Sequence, residues 1–207
     1  MKGKFITLEG TEGVGKSTNL SFIEDKLRQK GVDVVVTREP GGTPLSEELR
    51  EILLANRDEP FDATAELLVI FAARAQHLNQ VILPALSKGQ WVLSDRFTDA
   101  TYAYQGFGRG LSLDHISLLE SLVQKNVYPD ATFILDIDVE LGLQRASNRA
   151  ELDRFENEKI EFFQKVRAGY AERAAANPDR YHVVDAGKTL PEVQSQITKL
   201  VDALFKQ

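Results

Sequence analysis

The hydrophobic positions of this chain keep changing period, and the changes divide it into alternating strands and helices. Short runs rich in β-branched or aromatic residues at 5–8, 32–36, 91–93, 131–135 and 181–184 predict five buried strands. Between them, apolar residues return at helical spacing over 17–30, 46–54, 114–124, 139–149, 155–176 and 190–205. A shorter helix is predicted over 99–104, ahead of the glycine-rich 106–110. Gly31 stops the first helix, and Asp114 stands as an N-cap candidate for the helix it opens. The segment 64–86 reads as one long helix, and its middle, 67–73, is apolar on every side. Such a helix is covered on more than one face. Strands separated by helices predict an α/β fold, a three-layer α/β/α sandwich around a five-stranded parallel sheet. No repeat or linker interrupts it, so residues 1–207 are expected to form one domain, with a mobile charged lid near 146–156.

The loop after the first strand carries the chemistry. Gly10-Thr11-Glu12-Gly13-Val14-Gly15-Lys16-Ser17 fits G-x-x-x-x-G-K-[ST] and lies between a strand and a helix, the context a phosphate-binding loop requires. Its glycines let backbone N–H groups approach an anion, and the helix start adds partial positive charge. Lys16 is expected on the β- and γ-phosphates and Ser17 on Mg²⁺, with Thr18 completing the nucleotide-binding stretch. The implied ligand is a nucleoside triphosphate, ATP with Mg²⁺.

Charge and composition narrow the function. A net charge of −6 does not suggest a nucleic-acid surface. With no cysteine, thiolate catalysis and Cys-ligated metal centres are excluded. The three histidines are far apart and show no metal-ligand spacing. No apolar run is long enough to span a membrane and no secretory signal is visible, so a cytoplasmic protein is expected.

An acidic protein that handles anions has to gather its arginines locally. The strand at 91–93 runs into Ser94-Asp95, the form of a Walker-B aspartate, and Asp95 is a second candidate for the metal. Arg96 follows where many ATPases place a glutamate to orient water. A cation there suits a second anionic substrate, a structural ion pair being the alternative. Arg38 and Arg96 both follow strands, at the carboxyl ends where open α/β sheets bind ligands. Arg74 interrupts an apolar helix, which is costly unless it is paired or meets a ligand. Three such arginines point to an acceptor that already carries a phosphate.

With these residues in view, the chain resembles the bacterial thymidylate kinases (dTMP kinases) over essentially its whole length. The resemblance rests on residues 9–18, Thr37-Arg38-Glu39-Pro40-Gly41-Gly42-Thr43, Ala72-Ala73-Arg74, Asp95-Arg96-Phe97, Ala103-Tyr104-Gln105-Gly106, Arg109-Gly110 and residues 152–156. It implies MgATP-dependent phosphorylation of dTMP to dTDP in dTTP biosynthesis, in a homodimer, here expected to form through the helix 64–86. It further implies Arg38 and Arg96 on the dTMP phosphate, Arg74 on a thymine carbonyl, and Thr101 and Gln105 on the thymine edge. Tyr104 would lie under the deoxyribose, Arg50 would line the acceptor pocket, and Glu12 would lie near the sugar 3′-hydroxyl and the metal.

Two departures stand out. The family usually stacks a phenylalanine on thymine four residues before the Arg74 position. Here that residue is Ile70, and Phe71 is displaced by about 100° around the helix; either could face the base. The phosphate loop also lacks the arginine some members carry, so the chain resembles the type that supplies it from the lid. Arg145, Arg149 and Arg154 surround that segment, with Arg154 and then Arg149 expected to act on the transferring phosphoryl group. The rival readings are another nucleoside or nucleotide kinase and a nucleotide-dependent switch.

Overall fold

The computed structural model describes residues 3–147 and 153–206. Five parallel strands, β1 (Phe5–Gly10), β2 (Val34–Arg38), β3 (Trp91–Asp95), β4 (Ala131–Asp136) and β5 (Tyr181–Asp185), form one sheet in the order β2-β3-β1-β4-β5. All six residues of β1 are buried because it has a strand on each side and helices on both faces. The expected three-layer sandwich is therefore what forms.

One layer is α1 (Lys16–Gln29) with α9 (Leu190–Ala203); Ile23, Leu27, Val193, Ile197 and Val201 pack on Ile6, Leu8, Leu93 and Phe133. A capping box between Thr189 and Glu192 starts α9. The other layer holds α2 (Pro44–Leu54), α3 (Ala63–His77), α4 (Leu83–Ser87), α5 (Thr98–Thr101), α6 (Leu113–Gln124) and α8 (Ile160–Ala176), while α7 (Val139–Ser147) packs Leu141 on the first cluster and Val139 and Leu143 beside α8. In that other layer Leu78, Ile82 and Ala85 close on Phe5, Val92 and Phe97.

Several expectations change in detail. The run 64–86 is not one regular helix: α3 gives way to a π-helical turn at Leu78–Ile82 before α4. Pro84 has no N–H and its ring crowds the carbonyl four residues earlier, and a widened turn absorbs both defects. The expected helix 99–104 is only α5, which opens into a second π-helical turn at Tyr102–Gly108. That turn packs closely: a Cβ on Gly106 would fall 2.6 Å from Leu113, and one on Gly108 would fall 2.5 Å from Phe162. Asp114 is not the cap of α6; Ser112 is, without a side-chain bond, and Asp114 lies in the first turn. The helix expected from 155 starts at Ile160, because the Asp153 carboxylate takes the N–H groups of Phe155 and Glu156 into a turn.

Candidate active site

A cavity of about 260 Å3 opens at the carboxyl ends of β1, β2 and β3. Residues 12–17 of the phosphate loop form one wall, Ile70 and Arg74 of α3 another, and Asp95, Arg96, Thr101, Tyr104 and Gln105 a third, with Glu39, Arg50, Asp153 and Phe155 among the residues that complete it.

The loop is shaped for an anion. Gly13 has φ +71, and a Cβ there would lie 1.8 Å from the Gly142 carbonyl oxygen, so only glycine fits. Gly15 caps α1 at φ +85, with no side-chain cap and no acidic residue in the first turn. The unsatisfied N–H groups of that turn are left for a ligand. Lys16 Nζ meanwhile donates to the carbonyls of Thr11 at 2.8 Å and Gly10 at 3.3 Å. Burial, then Arg96, pushes its ammonium below the usual value, against the pull of Glu12, Asp95 and Glu9.

Arg96 follows β3 in the left-handed region, φ +66, which costs a side-chain-bearing residue about 1 kcal/mol. Two bonds hold the turn: Ser94 Oγ donates to the Arg96 carbonyl at 2.7 Å, and Phe97 N donates to Glu9 Oε1 at 2.7 Å. The turn aims the guanidinium back at the loop, where Nη2 donates to Glu12 Oε1 and, at 2.9 Å, to Tyr104 Oη. Tyr104 Oη in turn donates to Glu12 Oε1 at 2.9 Å. Burial works against the Glu12 carboxylate, but Arg96 and then Lys16 outweigh it and hold its pKa at about 2.

Arg74, 2 % exposed, donates from Nε to Glu39 Oε2 at 2.7 Å and from Nη2 to Thr101 Oγ1 at 2.8 Å. His77 meets the other Glu39 oxygen at 2.9 Å. Three atoms of the cavity wall are buried without a partner: Arg74 Nη1, Arg96 Nε and Asp95 Oδ1. Two donors and one carboxylate oxygen await ligand groups there, since buried polar atoms are normally satisfied. Asp95 and Ser17 share the wall, and among the described residues no group of three or more acids or histidines could cage an ion. That donor set fits Mg²⁺ carried on phosphates, because Mg²⁺ takes few protein ligands when phosphates supply the others.

Not every expected residue is in the wall. Gly10 and Thr11, the buried start of the loop, do not line the cavity, and Thr18 is exposed on α1. Arg38 ends β2 beside Asp95, but its exposed guanidinium is drawn to Glu47 of α2 at 2.7 Å and does not line the cavity. Arg50 does line it, held by the Pro40 carbonyl at 2.9 Å; burial, then Arg38 and Arg96, presses its pKa down, the mark of crowded cations. Of the two thymine-facing alternatives, Ile70 lines the cavity and Phe71 does not. Ile70 shares the face of Glu66 and Arg74 by fourfold spacing, whereas Phe71 turns to Leu67, Tyr102 and Ile116.

Arg145 is likewise outside the cavity, donating to the Ala186 carbonyl at 3.1 Å. Arg154, expected over the phosphates, pairs here with the buried Glu66 carboxylate at 2.7 Å and donates to the Leu53 carbonyl at 2.8 Å. Arg149 lies outside the described residues, as do 148–152 of the expected lid. Glu39 and Glu66, which hold Arg74 and Gln105, had been given no role. Their signal is an acid one residue past the second strand and an acid eight residues before Arg74 on one helix face.

Glu9 supplies a pH test. Burial, then Asp99, raises its carboxyl to about 8. The folded protein thus holds a proton that the unfolded chain releases near the usual carboxylate value of about 4.3. Its contribution to stability is present below that value and is lost as pH rises to about 8. Glu9→Gln is expected to flatten the fall in urea midpoint between pH 5 and 9; an unchanged slope would show that Glu9 is already ionised.

The thymidylate kinase family matches residues 8–197 of this chain. The thymidylate kinase of Teredinibacter turnerae is 65% identical over 205 residues, covering 99% of this chain and 100% of that one. That of Ectopseudomonas mendocina is 59% identical over 206 residues, 100% of this chain and 98% of the relative. The crystal structure of thymidylate kinase from Ehrlichia chaffeensis superposes with a TM-score of 0.77 at 36% identity, over 97% of this chain and 99% of that one.

Proposed function

The chain belongs to the thymidylate kinase family and phosphorylates dTMP to dTDP with MgATP, a step toward dTTP; from that premise we propose how its residues divide the work. The observation that carries this reading is the set of unpartnered atoms in one cavity: Arg96 Nε for the acceptor phosphate, Arg74 Nη1 for the base, and Asp95 Oδ1 for the metal.

At the donor end, the N–H groups of the loop and of the first turn of α1 cradle the ATP phosphates. Lys16 leaves its loop carbonyls for the β- and γ-oxygens. Ser17 and Asp95 are the residues that would hold Mg²⁺, which neutralises charge on the β- and γ-phosphates when bound. At the acceptor end, Arg96 aligns the dTMP phosphate for in-line attack on the γ-phosphorus, with Arg50 beside it and Arg38 recruited from Glu47. No general base is required, because the attacking phosphate oxygen is already ionised. Tyr104, its hydroxyl tied to Glu12 and Arg96, underlies the deoxyribose and crowds a 2′-hydroxyl; Ile70 gives thymine an aliphatic face. Coupled ADP formation with dTMP, dUMP, dCMP, dGMP and AMP tests the assignment, and equal rates with dCMP would overturn it.

The arginine for the transferring phosphoryl group is assigned to the lid near 146–156, from Arg149 or from Arg154 released by Glu66. In the arrangement described, Arg154 is a strut. Arg154→Ala is expected to lower unfolding stability by about 2 kcal/mol, because it strips a buried carboxylate of one partner. Urea denaturation together with kcat separates the roles: unchanged stability with a 10³-fold loss of kcat, the scale of a catalytic arginine (~10³–10⁵), would make Arg154 the catalytic group.

We also propose a homodimer through α3. Leu68 of α3 is 52% exposed, and Leu118 and Leu122 of the adjoining α6 are 69% and 70% exposed. Light scattering is expected to give twice 23.1 kDa, and Leu68→Glu to weaken the association. A parent protein that is monomeric and fully active at micromolar concentration would refute it. Among the described residues no helix is long and apolar enough to cross a membrane, and we assign the protein to the cytoplasm.

A further inference from the structure

Behind the wall that would face the base lies a carboxylate that does not itself line the cavity. Glu66, in the first turn of α3, is fully buried. Three side chains from two segments converge on it: Gln105 Nε2 donates to Oε1 at 2.8 Å, Arg154 Nη1 pairs with Oε2 at 2.7 Å, and Arg109, four residues after Gln105, approaches both oxygens at 3.4 Å. With guanidinium groups on both oxygens, this carboxylate is an acceptor on every side.

That constrains Gln105. Its amide has to meet Glu66 through nitrogen, because the flipped amide would oppose two acceptor oxygens at 2.8 Å. The half left for the cavity, which Gln105 lines, is its carbonyl oxygen. Thr101, four residues earlier, accepts from Arg74 Nη2 and so ties Gln105's segment to Arg74, whose Nη1 is an unused donor. The wall therefore presents a fixed donor, Arg74 Nη1, beside an acceptor whose polarity Glu66 sets from behind. A pyrimidine with a 4-carbonyl next to a ring N–H complements that pair. A 4-amino pyrimidine, with a donor next to a bare ring nitrogen, opposes both members.

We propose that Glu66 is a specificity-determining positioning residue: by locking the Gln105 amide it makes the cavity select a 4-oxo over a 4-amino pyrimidine nucleotide. The proposal rests on the reading of Gln105 as a base reader, and its test separates the two. Steady-state kcat/KM for dTMP and dCMP is measured for the parent, Glu66→Gln, Gln105→Leu and the double variant of the full chain. Glu66→Gln lets the Gln105 amide turn and is expected to lower the dTMP/dCMP ratio about 10- to 100-fold. In the Gln105→Leu background the same change should move the ratio less than about twofold, since the two residues act as one unit. If Gln105→Leu collapses the ratio and Glu66→Gln leaves it at the parent value, lowering both substrates alike, Glu66 only supports the fold and the proposal is overturned. If Gln105→Leu leaves the ratio intact, the reading of Gln105 itself fails. Should Glu66→Gln not fold, Glu66→Asp keeps the charge for Arg109 and Arg154 but draws it back from the amide, and an unchanged ratio there is equally fatal.

Discussion

Lys16→Ala is expected to cut kcat by about 10³-fold and leave the protein folded. The ammonium sits inside the phosphate loop, 3.9 Å from Glu12 and bonded to two loop carbonyls, in a setting that burial and Arg96 make uncomfortable for it. None of those contacts ties distant parts of the chain together, so their loss has little effect on the fold. During transfer the same charge meets the phosphoryl oxygens, where a preorganised cation is worth far more than in water. The loss should therefore appear in kcat and not merely in the KM for ATP. The measurement is turnover at saturating MgATP and dTMP alongside a thermal melt. Near-normal turnover in a folded variant would remove Lys16 from the donor site.

The second large effect concerns Arg74. Its removal should lower the dTMP/dCMP ratio of kcat/KM by about 10²- to 10³-fold, because a site built to bond a substrate group rejects one of opposite polarity strongly. Arg74→Ala also strips Glu39 and Thr101 of a buried partner, and breaking a buried pair from one side costs about 3–5 kcal/mol. Arg74→Lys is the cleaner probe: it keeps a charge for Glu39 but lacks the fork that bonds Glu39, Thr101 and the base together. The expected result is a folded Arg74→Lys enzyme with a collapsed ratio. A folded variant with the parent's ratio would show that Arg74 serves Glu39 alone.

Much of this fold is legible along the chain because its signals are local. A strand buried on both faces is mostly apolar, as Phe5-Ile6-Thr7-Leu8 of β1 and Ala131-Thr132-Phe133-Ile134-Leu135 of β4 are, and the phosphate-loop pattern announces a turn only glycine can make. The five strands lie within about two residues of where periodicity puts them. The two π-helical turns were less legible: one depends on Pro84 meeting a helix that packing will not let end, the other on how tightly Gly106 and Gly108 are pressed by α6 and α8.

For the site, residue type and spacing determined which side chains are candidates, and helical geometry put Ile70 and Arg74 on one face. What each candidate touches was decided by competition across the fold. Arg154 and Arg38 carry the charge a phosphate wants, yet Glu66 and Glu47 hold them, and no pattern along the chain tells that these acids of α3 and α2 reach those arginines. The same holds for Gln105, whose composition offers a donor and an acceptor alike. A carboxylate 39 residues away chooses between them, because polarity in a buried network is settled by contact and not by sequence distance.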